Sequence, residues 1–287
     1  MDPVAYLNGS LIPTSQARVP VLDYGFLFGY GLYETIRAYE GKLFRLDAHL
    51  ERLEGSAQKI GIRLDLPALR QGVLDTVRAN GFSDTRVRIT VSIGEGTMTP
   101  NVASCQTPTV LVLAGEYHPF TQDKYEHGFS VTVSPIRRNS RSPVTFMKSA
   151  NSMENMLARQ QARESGADES LFLNDRNCIT EASGSNVFLV EDSIVKTPRL
   201  KNGILPGVTR AAVFELTDQT GLEIKESDLR LGQLRAADEA FLSNSLIEVM
   251  PLTAVDRRAI GSGGVGPITR RIMNAYRGLV VSELRAQ

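Results

Sequence analysis

The succession of short, strand-like segments joined by tight turns constrains the fold more than any other feature of this sequence. At residues 4–12, Asn8 and Gly9 separate two short apolar segments, which is the pattern of a β-hairpin. Over residues 47–60, apolar residues recur at helical spacing, with Asp47 expected to cap the helix. Because strands and helices are interspersed without a regular βαβ repeat, the sequence predicts an α+β fold.

The remaining predicted elements extend over the whole chain. Further strands are predicted at 32–39, 42–45, 86–93, 109–114, 129–134, 169–173, 185–190 and 193–196, and further helices at 66–79, 149–164, 209–220 and 267–284. The segment 119–128 is polar and is predicted to be a linker. It divides the chain into a small N-terminal α/β domain at 1–118 and a larger C-terminal domain at 129–287.

Charge and cysteine content indicate the kind of partner to expect. Lys plus Arg number 32 and balance 32 Asp plus Glu, so no field of one sign attracts nucleic acid or an anionic membrane. Cys105 and Cys178 have no neighbouring histidine or cysteine, which predicts reduced thiols and no metal site. Neither a targeting segment nor a run of ~20 apolar residues occurs, so we expect a cytoplasmic protein that acts on small molecules.

Common nucleotide, zinc-protease and serine-hydrolase motifs are absent from the sequence. Four other segments stand out, at 44–53, 148–158, 179–188 and 205–210. Together they resemble the class IV (fold-type IV) aminotransferases, and they keep that family's order and approximate spacing. The resemblance extends from Tyr6 to the final helix. It implies a two-domain fold of the D-amino acid aminotransferase type, with pyridoxal 5′-phosphate in the cleft between the domains, a cofactor-binding C-terminal domain, and a homodimer.

Lys148 is the residue on which the predicted chemistry depends. A lysine before a helix is, by itself, more often a solvated surface residue than a functional one. The resemblance implies instead that Lys148 holds the cofactor as a Schiff base and is the catalytic residue, because its amine can both form the imine and carry a proton.

Glu181 lies in a turn of small residues that leads into a strand. Taken alone, it is equally typical of an exposed turn carboxylate. The resemblance implies that it pairs with the pyridine nitrogen of the cofactor. A carboxylate there favours the protonated ring, which withdraws electrons from the substrate carbon as its proton leaves.

The cofactor phosphate requires a guanidinium group and free backbone N–H groups at the start of a helix. The resemblance implies that Arg52 supplies the guanidinium group, and that Leu205, Val208, Thr209 and Ser245 complete the site. By itself, Arg52 is equally typical of a surface charge on an amphipathic helix, and the residues before Val208 of an ordinary helix start.

The resemblance also implies a set of substrate-binding residues: Phe28, Tyr33, Arg88 and Leu246. Arg88 is the candidate for a substrate carboxylate, although a solvated strand arginine is an equally good interpretation of the sequence. Two nearby features have other expected roles. His49 is expected to pack or cap rather than to shuttle protons, and the glycine-rich segment 94–101 is expected to form a mobile lid.

The N-terminal segment looks most like prokaryotic branched-chain aminotransferases, which implies ping-pong transfer of an amino group to a 2-keto acid such as 2-oxoglutarate. Met153 and Thr35 depart from that pattern, since those positions are commonly tyrosine and glycine. D-amino acid transaminases, (R)-amine transaminases and aminodeoxychorismate lyase therefore remain alternatives. A third class, a binding module without catalysis, is disfavoured by the presence of Lys148, Glu181 and Arg52.

Overall fold

The computed structural model describes residues 2–287, and the chain divides into two compact units. The first contains the residues up to His118 together with Met147–Asn151 and Leu284–Gln287. The second contains Pro119–Phe146 and Ser152–Glu283. The segment predicted as a linker, 119–128, lies within the second unit and is largely helical.

In the first unit, the described residues form a six-stranded antiparallel sheet in the order β2-β1-β6-β5-β3-β4. Its strands are β1 (Val4–Leu7), β2 (Ser10–Pro13), β3 (Gly31–Tyr39), β4 (Lys42–Leu43), β5 (Asp84–Ser92) and β6 (Thr109–Glu116), and its helices are α1 (Tyr24–Phe28), α2 (Leu46–Lys59) and α3 (Leu66–Asn80). Short 3₁₀ turns occur at Thr14–Gln16 and Val102–Ser104. The helix α3 shows how local sequence sets these bounds, because Asp65 caps its start and Gly81 ends it in a left-handed conformation.

The strand β3 positions two sets of side chains on opposite faces of this sheet. Leu32, Glu34 and Ile36 are buried on one face, and the two apolar residues belong to a core that includes Leu50 and Leu53 of α2. Since side chains alternate along a strand, Tyr33 projects from the other face. One strand therefore supplies both a core carboxylate and a ring on the opposite side.

In the second unit, the described residues form a nine-stranded mixed sheet, in the order β12-β11-β10-β13-β14-β7-β8-β9 with β15 paired to β14. Its strands are β7 (Phe129–Arg138), β8 (Glu169–Asn174), β9 (Ile179–Ala182), β10 (Asn186–Glu191), β11 (Ile194–Pro198), β12 (Ile224–Ser227), β13 (Glu239–Asn244), β14 (Glu248–Val255) and β15 (Arg258–Ala259). Its helices are α4 (Gln122–His127), α5 (Met153–Glu164), α6 (Val208–Gln219), α7 (Leu231–Ala236) and α8 (Pro267–Ala286), with 3₁₀ turns at Pro143–Phe146 and Leu200–Asn202. Parallel pairs join β7 to β8 and to β14, and β11 to β12. The predicted α+β class is confirmed.

Two predicted helix starts were wrong. Asp47 does not cap α2, because the N-cap position is Arg45, in a left-handed conformation without a side-chain cap. Asp47 lies in the first turn and accepts a hydrogen bond from Arg70 Nε at 3.1 Å. The helix predicted from residue 149 begins only at Met153. No helix within residues 2–287 is long and apolar enough to cross a membrane.

Candidate active site

The predicted site residues divide between the two units. The first unit holds Phe28, Tyr33, Arg52, Arg88 and Lys148, and the second holds Glu181, Leu205, Val208, Thr209, Ser245 and Leu246.

Lys148 lies in a short extended segment that pairs with the start of β3. Tyr33 N–H donates to the Lys148 carbonyl at 2.8 Å, and Ala150 N–H donates to the Gly31 carbonyl at the same distance. These bonds explain why the helix does not begin at residue 149, since the backbone is already committed to β3. The Lys148 side chain makes none of them, and its Nζ lies 4.6 Å from the centre of the Tyr33 ring.

Arg88 contacts the same aromatic ring as Lys148. Its Cζ lies 4.1 Å from the Tyr33 ring centre, and its Nε donates to Thr90 Oγ1 at 3.2 Å. The two predicted substrate residues therefore contact each other, and two cationic side chains lie against one tyrosine. Burial lowers the pKa of the Arg88 guanidinium group. Such a group, partly removed from water, is well suited to an anionic partner.

Arg52 forms a two-point ion pair with Glu34 of β3. Its Nε donates to Glu34 Oε1 at 2.8 Å and its Nη2 to Oε2 at 2.6 Å. The Glu34 side chain is fully buried and that of Arg52 is 12% exposed. The same Oε2 lies 2.8 Å from His49 Nδ1, so the carboxylate has partners at two successive turns of α2. His49 is buried, as expected of a packing residue.

Electrostatics define the charge of this group. Burial raises the pKa of Glu34, but Arg52 and His49 offset that effect and lower the pKa to about 2. Burial, together with Arg52 and Lys148, lowers the pKa of His49 although Glu34 opposes the shift. At neutral pH the carboxylate is therefore charged and the imidazole neutral, with its Nδ1–H donating to Glu34.

These pKa shifts predict a loss of stability in acid. In the unfolded chain His49 takes up a proton near pH 6.5 and Glu34 near pH 4.5, before either does in the folded state. Because the unfolded state then binds more protons, the free energy of unfolding should fall as pH drops below 6.5, and again from 4.5 to about 2. The Glu34 contribution is on the order of 3 kcal/mol. Denaturant unfolding at several pH values measures it, and Glu34→Gln should flatten the lower part of the curve. An equally steep fall in that variant would contradict the assignment.

Phe28 lies at the end of α1, half exposed, with its ring edge-on to Tyr24 at 4.8 Å between centres. The Tyr24 hydroxyl accepts from Asn101 N–H at 3.0 Å and lies within 2.9 Å of the carbonyls of Thr97 and Thr99. The segment predicted as a lid is thus tied to the helix that carries Phe28.

In the second unit, Glu181 lies on β9 and is held by a backbone group. Its Oε2 accepts from Leu205 N–H at 2.9 Å, and the Leu205 carbonyl accepts from Asn186 Nδ2 at 3.0 Å. Leu205 therefore orients the carboxylate, a contact that the sequence did not suggest. The neighbours Thr180 and Ala182 are buried, so the position of Glu181 is set by the sheet.

The start of α6 provides the open backbone amides that an anion requires. The helix begins at Val208, and its N-cap, Gly207, provides no side-chain cap. A Cβ on Gly207 would lie 2.1 Å from Asn186 Oδ1, so only glycine allows this approach. The first N–H groups of a helix have no partner within it, and Val208 and Thr209 supply two of them.

Ser245 and Leu246 lie in the turn between β13 and β14. Asn244 Oδ1 accepts from Leu246 N–H at 2.8 Å and from Ile247 N–H at 2.9 Å, so the side chain of Asn244 shapes this turn. The preceding Ser243, which pairs with Asn186 across the sheet, has a buried hydroxyl without a hydrogen-bond partner among the described residues. A buried unpaired hydroxyl is unfavourable unless a ligand or water satisfies it.

Sequence reasoning did not assign roles to Glu34, Asn186, Ser243 or Asn244. A signal existed for Glu34, because it is a carboxylate at a strand position where alternation places apolar residues. The other three have no local signal. Asn186 and Ser243 become neighbours only through the pairing of β10 with β13.

The family model described as amino-transferase class IV matches residues 31–255, which include every predicted site residue except Phe28. The chain belongs to the class IV aminotransferases. The predicted transferase activity and family are therefore confirmed.

Two relatives and one solved structure show how class IV enzymes resemble this chain. A protein of Methanocaldococcus jannaschii, provisionally named branched-chain-amino-acid aminotransferase, is 33% identical over 276 residues, which is 95% of this chain and 94% of the relative. D-alanine aminotransferase of Bacillus licheniformis is 32% identical over 96% of both chains. A branched-chain amino acid aminotransferase of T.th., solved with pyridoxamine 5′-phosphate, superposes with a TM-score of 0.92 at 28% identity, covering 98% of this chain and 94% of that one. The predicted fold-type IV fold is confirmed.

Proposed function

We propose that this class IV aminotransferase binds pyridoxal 5′-phosphate and moves an amino group from a branched-chain amino acid to a 2-keto acid such as 2-oxoglutarate. The observation that carries the proposal is the environment of Lys148, whose amine lies against Tyr33 while its backbone is fixed by β3. Support for the substrate comes from the relative and the solved structure named for branched-chain amino acids. Pyridoxamine 5′-phosphate in the solved structure supports the cofactor.

The residues present fit the proposed cofactor. A phosphate requires cationic and N–H donors, which Arg52 and the open start of α6 supply. The unpaired Ser243 hydroxyl and the glycine at position 207, beside Asn186, are features that a bound anion explains. Val208, Thr209 and Ser245 are proposed as further phosphate contacts, with Leu205 acting through Glu181.

Each residue then has a chemical task. When bound, the cofactor supplies an electron-accepting ring that stabilises charge at the substrate α-carbon. Lys148 Nζ binds the cofactor aldehyde and afterwards moves the α-proton. Glu181 holds the proton of the ring nitrogen, since its carboxylate is oriented by Leu205. Arg88 binds the substrate carboxylate, as its partly desolvated guanidinium group favours an anion.

The remaining substrate contacts are proposed for Phe28, Tyr33 and Leu246, whose side chains are apolar or aromatic and suit an aliphatic substrate. A D-amino acid is the second candidate substrate, favoured by the D-alanine aminotransferase relative. We also propose a homodimer. Val21, Phe26 and Met98 of the first unit, each about three-quarters exposed, are apolar side chains that such an interface can cover.

The experiment that tests this function follows the absorbance of the bound cofactor after mixing with one amine at a time. Leucine, isoleucine and valine should convert it to the pyridoxamine form, and 2-oxoglutarate should restore it in a separate step, as ping-pong transfer requires. D-alanine and (R)-1-phenylethylamine should react slowly. Fast conversion by D-alanine instead would select the second candidate. Release of pyruvate from aminodeoxychorismate without a keto acid would identify a lyase and contradict the proposal.

Arg52→Ala should weaken cofactor affinity by about one to two orders of magnitude. Hydrogen bonds to charged groups contribute roughly 1.5–3 kcal/mol, and the donors of α6 remain in the variant. Titration of the apoprotein with pyridoxal phosphate measures the dissociation constant. Saturating cofactor should restore much of the activity. Lack of rescue in a folded variant would show that Arg52 does something other than bind the phosphate.

A further inference from the structure

Glu34 is a buried charge that none of the proposed chemical steps uses. Its side chain has no exposure to solvent, and it lies on the face of β3 opposite to Tyr33. Burying a carboxylate is costly unless it is paired and hydrogen-bonded. Here both oxygens are occupied, Oε1 by Arg52 and Oε2 by Arg52 and His49. The arrangement therefore requires an explanation beyond packing.

The contacts constrain Arg52 more than α2 alone can. An arginine side chain on a helix has several freely rotating bonds, and holding it in one orientation costs conformational entropy. The two parallel contacts with Glu34, at 2.8 and 2.6 Å, define the plane of the guanidinium group. His49, one turn before Arg52 and hydrogen-bonded to Oε2, fixes the carboxylate itself.

We propose that Glu34 is a positioning residue for cofactor binding, which orients the Arg52 guanidinium group toward the cofactor phosphate. This inference rests on the proposed function, because it requires Arg52 to bind the phosphate. Glu34 acts only through Arg52 and does not contact the cofactor. It thereby adds a specific determinant of phosphate affinity on β3, one residue from Tyr33.

Charge alone favours the opposite result. The Glu34 carboxylate cancels the charge of Arg52, and His49 beside them is neutral because burial lowers its pKa. Removing the carboxylate would make the group net positive and, through charge alone, would strengthen phosphate binding. Positioning predicts weaker binding instead, because directional hydrogen bonds at a fixed geometry are lost. The direction of the change in affinity therefore separates the two roles.

The test measures the binding of two ligands, pyridoxal phosphate and pyridoxal, to the apoprotein. Glu34→Gln should weaken pyridoxal phosphate binding roughly tenfold and change pyridoxal binding by less than about twofold. Glu34→Asp keeps the charge but retracts the carboxylate, and it should weaken binding of the phosphorylated ligand as well. The matched control is Asp84→Asn, which breaks another two-point pair, to Arg37 of the same strand β3. That variant should bind both ligands as the parent protein does.

A double-mutant cycle tests whether Glu34 acts through Arg52. In the Arg52→Ala background, Glu34→Gln should cause no further loss of affinity. Unchanged or tighter binding in Glu34→Gln, an equal loss for both ligands, or additive losses in the cycle would each overturn the inference. If Glu34→Gln does not fold, Glu34→Asp and the cycle built with it decide the question in the same way. Should Arg52→Ala leave pyridoxal phosphate affinity unchanged, the proposed phosphate role of Arg52 itself is wrong, a result distinct from failure of Glu34 alone.

Discussion

Lys148→Ala is expected to abolish turnover together with the absorbance band of the lysine-bound cofactor, while leaving the fold intact. Alanine has no amine with which to bind the cofactor aldehyde or to move the α-proton. The fold should survive because the backbone of residues 148–150, and not the lysine side chain, makes the hydrogen bonds with β3. Absorbance spectra, circular dichroism and steady-state rates check the three parts of this expectation.

The chain offers a matched control for Lys148. Lys124 also lies over an aromatic ring, with its Nζ 5.1 Å from the centre of Phe129, and it pairs with Asp168 at 2.6 Å. Lys124→Ala should therefore remove a comparable contact but keep the cofactor band and turnover. Excess pyridoxal phosphate should restore none of the activity of Lys148→Ala. Turnover in a folded Lys148→Ala protein would disprove the mechanism.

Glu181→Gln is expected to keep the cofactor bound and to slow the amine half-reaction by about 10²-fold. Glutamine retains an oxygen that can accept from Leu205 N–H, so the local geometry should remain. It carries no charge, however, and no longer favours the protonated ring nitrogen, so the substrate proton becomes less acidic.

Single-turnover measurements with saturating leucine determine that rate, and cofactor content per chain confirms retention. Glu191→Gln is a suitable control, because Glu191 lies at the end of β10 and pairs with Lys196. It should react at the parent rate. A half-reaction in Glu181→Gln close to that of the parent would exclude a role for the carboxylate in the chemistry.

Several features of this molecule could be predicted from sequence because they depend on neighbours along the chain. The hairpin at Asn8 and Gly9 and the bounds of α3, from Asp65 to Gly81, follow from turn chemistry, capping and hydrophobic period. The family resemblance rested on motifs that are themselves contiguous, and it identified Lys148. Local rules were sufficient wherever the deciding contacts lie within a few residues.

Other features depended on contacts between distant segments, and only the tertiary structure decided them. Met153, not residue 149, begins α5, because β3 competes for the preceding backbone. The strands β13 and β14 were not predicted, since the polar turn that joins them hides two largely buried segments.

The partners of the site residues were decided in the same way. Glu34 meets Arg52 across 18 residues, and Glu181 meets Leu205 across 24. Sequence determined which groups can be charged, can donate or can cap, because these are properties of the side chains themselves. Sheet order and register determined which groups meet, because the free energy of burying a charge is recovered only where a distant partner is placed within hydrogen-bond distance.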